Sequence, residues 1–122
     1  MRYMMPPTVL IVEDQLLLLM HVQFVFEDAG YVVIQADSAD EALLALDRHP
    51  EIGAIFTDVA MPGSIDGAAL AARVRQSHPH VSIVVTSGEQ FHVAEHLPVG
   101  VRFVPKPYAG HDIIRMIGQS AA

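Results

Sequence analysis

The sequence predicts an α/β domain built around a parallel β-sheet, and two patterns indicate this class. Short apolar segments alternate with helix-like segments at intervals of roughly 20 to 30 residues, as in consecutive βαβ units. The apolar segments are mostly uninterrupted by polar residues, which is typical of strands covered on both faces. The chain of 122 residues is long enough for one domain, whose core we expect from about residue 8 to 118, with no output domain.

Five strands are predicted from apolar runs bounded by charges or turn residues. In chain order they are Val9 to Val12, Tyr31 to Ala36, Ile52 to Thr57, Val81 to Thr86 and Val101 to Val104. Four helices are predicted from their start and stop signals. They cover Gln15 to Ala29, the segment from the capping box Ser38-Ala39-Asp40-Glu41 to about His49, about Gly67 to Ser77, and about Ala109 to Gly118.

A further helix is expected between the fourth and fifth strands, but its signal is weak. Phe91 to Leu97 can form two turns, which Pro98 and Gly100 then cut short. We therefore expect the fourth of five helices to be short or irregular.

Composition excludes several classes of function. Fourteen acidic against seven basic residues give a formal net charge of -7, which argues against a nucleic-acid-binding face. Cysteine is absent, so disulfides, thiolate metal sites and cysteine nucleophiles are excluded. The longest apolar stretch is about five residues, far below the roughly 20 of a membrane span. The N-terminal segment lacks the apolar region of a signal peptide, so we expect a cytoplasmic protein without membrane partners.

Charged side chains follow three of the predicted strands. Glu13 and Asp14 follow the first strand, Asp58 the third and Lys106 the fifth. Because parallel strands end at one edge of an open α/β sheet, these groups should meet in one crevice. Three neighbouring carboxylates repel one another, and a single lysine does not neutralise them. The pattern therefore predicts a Mg²⁺ site with an anion bound between the metal and Lys106.

Five strand-end features, in their order, resemble the receiver domain of bacterial response regulators in two-component systems. They are Glu13-Asp14, Asp58, Met61-Pro62 with Asp66-Gly67, Thr86-Ser87-Gly88, and Lys106-Pro107. The resemblance extends from Val9 to about Ile117. It implies a flavodoxin-like (βα)5 three-layer sandwich, with a five-stranded parallel sheet of order 2-1-3-4-5.

The resemblance also implies a metal set and a phosphoacceptor. Asp58 is similar to the carboxylate that takes a phosphoryl group from a phosphohistidine, on a sensor histidine kinase or a histidine phosphotransfer protein. Asp14 resembles the direct Mg²⁺ ligand, and Glu13 resembles a residue that acts mainly through metal-bound water. Asp58 and the backbone carbonyl of Ala60 would complete the protein ligands.

Four further roles follow from the same resemblance. Lys106 would pair with Asp58 before the reaction and with a phosphoryl oxygen afterwards. Thr86 would donate to another phosphoryl oxygen, and its movement would let the aromatic Phe103 turn inward as a switch. Pro107 matches a proline that is preceded by a cis peptide bond.

The sequence departs from the common receiver pattern at three places. Glu13 stands where an aspartate is common, which lengthens one arm of the metal site. The loop from Met61 to Gly67 is one residue longer than usual and resembles a subgroup often found as stand-alone receivers. Phe103 lacks the hydroxyl of a tyrosine, so a switch there would act through packing.

The first helix carries more apolar residues than a single buried face requires. Leu18, Val22 and Val25 have the spacing of a core face, whereas Leu17, Met20 and Phe24 form a second stripe that should be partly exposed. This stripe indicates either ordinary peripheral packing or a docking surface for a partner's helices. The seven histidines lack further ligand signals and are expected to be exposed.

These features predict a Mg²⁺-dependent phosphoacceptor that acts by binding an unidentified downstream protein or by phosphoryl relay. We expect no enzymatic turnover beyond slow autodephosphorylation. Two alternatives stay open: a receiver-like binding module that works without phosphorylation, and an aspartate-nucleophile phosphohydrolase. The second is disfavoured because such enzymes need a second acid two residues after the nucleophile, where Ala60 stands.

Overall fold

The computed structural model describes residues 7–59, 67–88 and 97–120. Five strands lie in this part of the chain: β1 (Thr8–Val12), β2 (Val32–Ala36), β3 (Ile52–Asp58), β4 (Ser82–Ser87) and β5 (Arg102–Pro105). They form one parallel sheet in the order β2-β1-β3-β4-β5. The predicted fold class and strand order are therefore confirmed.

The described residues also contain four helices. They are α1 (Leu16–Asp28), α2 (Ala39–Arg48), α3 (Gly67–Ser77) and α4 (Gly110–Ser120). Every predicted strand and helix in this part of the chain is present, with bounds shifted by at most two residues. The weak helix expected from Phe91 to Leu97 falls almost wholly outside the described residues. No helix in the described segments has the length and apolar character needed to cross a membrane.

Two apolar clusters cover the two faces of the sheet. One cluster joins the sheet to α2 and α3, and its members include Leu10, Ile55 and Leu70. The other joins the opposite face to α1 and α4. Successive strand residues such as Val9 and Leu10 enter different clusters, because side chains alternate between the faces of a strand. This arrangement explains why the strands are apolar throughout.

Local signals in the sequence define the helix ends. The Ser38 hydroxyl accepts from the Glu41 backbone N–H at 3.2 Å, and the Glu41 carboxylate accepts from the Asp37 N–H at 3.1 Å. The predicted capping box is thus formed, with the return bond displaced by one residue. Gly30 ends α1 with a φ of 94°, a left-handed conformation that favours glycine.

The predicted core face of α1 was wrong in part. The buried residues are Leu19, Val22 and Phe26, whereas Leu18 and Val25 are only partly buried. Positions 16 to 19 are all leucine, so hydrophobic periodicity does not define the rotation of this helix. Packing against the sheet selects the phase.

Helix α3 begins in close contact with the end of β3. The Gly67 N–H donates to the Val59 carbonyl at 3.0 Å. A Cβ at Gly67 would lie 2.2 Å from the Asp58 carbonyl oxygen and 2.8 Å from the Val59 Cα. Because both atoms belong to the backbone, they cannot move aside as a flexible side chain can. Glycine therefore lets α3 pack directly behind Asp58.

Replacing Gly67 with alanine is expected to lower the free energy of unfolding by about 1 to 3 kcal/mol, the usual cost of forcing extra atoms into a packed region. Denaturant unfolding measures this change. Gly53→Ala is the matched control, because a Cβ at Gly53 in β3 meets no atom within 4 Å. Equal stabilities of the two variants would contradict the close contact.

Candidate functional site

The carboxyl ends of the central strands are held together by backbone hydrogen bonds. Asp58 is the register partner of Thr86. The Val59 N–H donates to the Thr86 carbonyl at 2.9 Å, and the Lys106 N–H donates to the Ser87 carbonyl at 3.0 Å. Pairing thus continues to the last residues of β3, β4 and β5. The functional side chains predicted from the sequence therefore share one edge of the sheet.

Asp58 and Lys106 form an ion pair at this edge, although 48 residues separate them in the sequence. The Lys106 Nζ donates to the Asp58 Oδ2. The Asp58 side chain is only 4% exposed, whereas that of Lys106 is 26% exposed. A buried carboxylate needs such a partner because its transfer from water is otherwise costly. The peptide bond between Lys106 and Pro107 is cis.

Glu13 lies buried beside the ion pair. Its Oε2 accepts from the Gln15 N–H at 3.0 Å, directly before the first residue of α1. Burial raises the pKa of Glu13 above its ordinary value, and the negative charge of Asp58 raises it further. Asp14, which is exposed, shares a hydrogen bond with Glu13. Three carboxyl groups therefore meet at an edge where Lys106 supplies a single positive charge.

Thr86 lies next to Asp58 with its hydroxyl buried. The residue is fully inaccessible, and its Oγ1 has no hydrogen-bond partner among the described residues. A buried hydroxyl without a partner is unfavourable, and such groups occur where function demands them. Thr86 therefore offers a donor beside the carboxylate of Asp58.

Tyr108 is a member of this edge that reasoning from the sequence missed. Its ring meets the Phe56 ring edge-on, with centroids 5.5 Å apart. Its hydroxyl is buried and, within the described part of the chain, has no hydrogen-bond partner. Burial raises the pKa of Tyr108 to about 12, with smaller contributions from the negative charges of Glu13 and Asp58. The available signal was its position directly after Lys106-Pro107.

An open groove of about 530 Å³ extends from this edge toward α1. Its lining residues belong to α1 and to the segments that follow β4 and β5, and they are Leu18, His21, Gly88, Lys106, Pro107 and Tyr108. The predicted apolar stripe of α1 is exposed beyond it: Leu17 is 83%, Met20 57% and Phe24 65% accessible.

Two predicted site residues are not among the side chains that the structure describes at this edge of the sheet. Phe103 is partly buried and packs against the cluster shared by α2 and α3. Ala60, whose carbonyl was expected to complete the metal ligands, lies outside the described residues, as does the loop from Met61 to Asp66.

The donors at this edge suit a hard cation. Glu13, Asp14 and Asp58 offer only carboxylate oxygens, the ligands preferred by Mg²⁺. The described residues contain no group of three His, Cys, Asp or Glu side chains placed to hold a metal by themselves. Mg²⁺ does not require one, because it keeps several waters and is usually bound through one or two carboxylates. The residues present therefore fit Mg²⁺ with a partly water-filled coordination shell.

Two curated proteins show similarity over most of this chain. It is 33% identical over 106 residues to the sensor kinase CckA of Brucella abortus, covering 84% of the chain and 11% of the kinase. It is 27% identical over 117 residues to the phosphate regulon transcriptional regulatory protein PhoB of Pseudomonas aeruginosa, covering 91% of the chain and 50% of the regulator. The chain thus spans at most half the length of these relatives.

The comparison with solved structures and families agrees with the observed fold. A response regulator receiver protein from Sinorhizobium medicae superposes with a TM-score of 0.88 at 25% identity, covering 95% of this chain and 94% of that one. The family model of the response regulator receiver domain matches residues 9–118. The fold, the acidic edge with its lysine and these similarities lead to one conclusion: the chain belongs to the response regulator receiver domain family.

Proposed function

We propose that this chain is a Mg²⁺-dependent phosphoacceptor, phosphorylated on Asp58 by a histidine kinase or a histidine phosphotransfer protein. The observation that carries the proposal is the contact between the buried Asp58 carboxylate and the Lys106 ammonium group. The similarity to a protein named as a sensor kinase supports a role in histidine-kinase signalling. We propose further that residues 8–118 act as one receiver domain.

The reaction is a transfer between two side chains. A carboxylate oxygen of Asp58 attacks the phosphorus atom of a phosphohistidine, the P–N bond breaks, and the imidazole leaves with the electron pair. Transfer of this kind depends mainly on positioning and on neutralising charge on the phosphoryl oxygens. Lys106 is suited to this task because its ammonium group can move from the carboxylate to a phosphoryl oxygen. The product is an acyl phosphate on Asp58.

Glu13, Asp14, Asp58 and the backbone carbonyl of Ala60 are the proposed ligands of Mg²⁺. When bound, Mg²⁺ supplies positive charge that neutralises these carboxylates and the phosphoryl oxygens. Glu13 contributes through its buried carboxylate, which the Gln15 N–H keeps oriented at 3.0 Å. Asp14 is the exposed member of the pair and is therefore accessible to a hydrated cation.

Thr86 and Phe103 are the proposed switch. The Thr86 hydroxyl gains an acceptor when a phosphoryl oxygen arrives beside Asp58, since it has no partner among the described residues before the reaction. Its movement frees space next to β5, and Phe103, which is already partly buried there, turns further inward. The proposed switch changes the packing of the Phe103 ring and not a hydrogen bond, because Phe103 has no hydroxyl.

The chain is proposed to be a phosphoacceptor and not an enzyme with turnover. Ala60, two residues after Asp58, carries no acid to activate a water molecule. The phosphorylated form would then act on a downstream protein or pass the phosphoryl group on.

The exposed stripe of α1 is proposed as the docking surface for the phosphodonor. Leu17, Met20 and Phe24 are apolar and project from the helix that lines the groove beside Lys106. Burying such residues supplies binding energy, and their position brings a bound partner close to Asp58.

Incubation with Mg²⁺ and acetyl phosphate is expected to add one phosphoryl group, which intact mass spectrometry detects. Asp58→Ala should abolish the gain, and Lys106→Ala should slow it roughly 10- to 100-fold, the usual effect of losing a charge-assisted hydrogen bond. Asp47→Ala is the control, because Asp47 is an exposed acid on α2. No gain in a protein that binds Mg²⁺ would instead support the phosphorylation-independent binding module.

Glu13→Gln is expected to raise the melting temperature of the cation-free protein at neutral pH by a few degrees. Because the pKa of Glu13 is raised on folding, its ionisation opposes folding. That loss begins as the pH rises through the ordinary value of 4.5 and is complete above the raised folded-state value. Melting curves in EDTA between about pH 4 and pH 8 measure the effect.

In parallel melting curves without EDTA, added Mg²⁺ should stabilise Glu13→Gln less than the wild type, because one carboxylate has been removed. Glu27→Gln serves as the control, since Glu27 is exposed on α1. If the melting temperatures of the wild type and Glu13→Gln depended on pH in the same way, ionised Glu13 would not destabilise the folded protein.

Alanine at Leu17 or Phe24 is expected to slow phosphotransfer from a histidine kinase at least about fivefold, the effect of losing an interface anchor of 1 kcal/mol or more. Phosphorylation by acetyl phosphate should be unchanged, because this small donor needs no docking surface. Leu44→Ala is the matched control, since Leu44 is 53% exposed but lies on α2. Equal transfer rates in all variants would remove α1 as the docking surface.

A further inference from the structure

The Tyr108 hydroxyl combines burial with an unmet hydrogen-bonding capacity. The oxygen is buried and has no hydrogen-bond partner in the described segments. A tyrosine that served only as a packing residue would be expected to place its hydroxyl in solvent or against an acceptor. Phenylalanine would fill the same space without this cost, so the hydroxyl calls for a reason beyond packing.

The ring of Tyr108 lies close to the acidic edge. Tyr108 packs edge-on against Phe56, which precedes Asp58 by two residues on β3. Phe56 and Asp58 share one face of the strand because side chains alternate. The hydroxyl also lies within electrostatic range of both Glu13 and Asp58. Tyr108 therefore brings a neutral donor to carboxylates.

Of the two carboxylates, Glu13 is the better acceptor for Tyr108. Asp58 Oδ2 already accepts from the Lys106 ammonium group. Glu13 and Asp58 both raise the pKa of Tyr108, and the contribution of Glu13 is the larger of the two. Its carboxylate accepts the Gln15 N–H through Oε2 and has capacity for further donors. Its longer side chain reaches a nearby donor by rotation about its own bonds.

We propose that Tyr108 is a positioning residue of the cation site, whose hydroxyl donates to the Glu13 carboxylate in the Mg²⁺-bound protein and keeps that carboxylate oriented. This role rests on the proposed function, because it requires the site to bind a divalent cation. Tyr108 itself does not touch the cation or the phosphoryl group. It acts through Glu13, whose side chain is longer than that of the neighbouring Asp14.

The test is a double-mutant cycle on Mg²⁺ affinity, measured by isothermal titration calorimetry. Tyr108→Phe keeps the ring against Phe56 and is expected to weaken Mg²⁺ binding about fivefold, the factor of a typical hydrogen bond. In a Glu13→Ala background, which has no side-chain acceptor at this position, the same substitution should have no further effect. Tyr31→Phe is the matched control, because its ring packs edge-on against Phe26, 5.2 Å away.

A second measurement separates positioning from chemistry. At saturating Mg²⁺, Tyr108→Phe should accept a phosphoryl group from acetyl phosphate as fast as the wild type, with only the half-saturating Mg²⁺ concentration raised. Melting temperatures verify that each variant is folded.

The outcomes distinguish this inference from the proposed function. Wild-type affinity in Tyr108→Phe would overturn the role of Tyr108 alone. An equal loss of affinity with and without Glu13 would show that Tyr108 does not act through Glu13, and would also overturn it. A wild-type protein that binds no Mg²⁺ would overturn the proposed function, and the positioning role with it.

Discussion

The acidic edge depends on the balance between three carboxyl groups and one ammonium group at the ends of parallel strands. Continuous pairing through the last residues of β3, β4 and β5 prevents Asp58 and Lys106 from moving apart. Burial increases the repulsion between Glu13 and Asp58, since their charges are poorly screened there. Because negative charge is in excess at this edge, any bound ligand that brings positive charge stabilises it. The same imbalance explains why the phosphoryl group of the proposed function would need both a cation and Lys106.

The two covered faces of the sheet supply the rigidity that the edge requires. Apolar clusters on both sides leave the strands no freedom to twist the carboxylates away from each other. Gly67 also contributes to the rigidity of the edge, because its missing Cβ lets α3 pack directly on the backbone of Asp58 and Val59. The hydroxyls of Thr86 and Tyr108 are buried within this scaffold. The stability of the core thus offsets the unfavourable polar groups gathered at the edge.

The groove beside Lys106 connects the chemistry to the surface of α1. Leu18 and His21 line it from the helix, and Pro107 and Tyr108 line it from the segment after β5. The exposed side chains of Leu17 and Phe24 stand on the same helix. A partner docked on this helix, as proposed, would lie next to the crevice, so recognition and transfer would share one side of the molecule. Under this proposal, α1 would serve both as a packing element and as a contact surface.

The sequence by itself determined the fold class, the order of the strands and helices, and the residues that stand at strand ends. These are local properties, because apolar periodicity, capping residues and charges after apolar runs are read within a few positions. The tertiary structure decided the phase of α1, where four successive leucines leave the periodicity ambiguous. It also decided the burial of the Tyr108 hydroxyl and the close approach at Gly67. The burial of the Tyr108 hydroxyl depends on packing between segments that are distant in the chain, and the approach at Gly67 depends on how α3 packs against the end of β3. No local pattern encodes either.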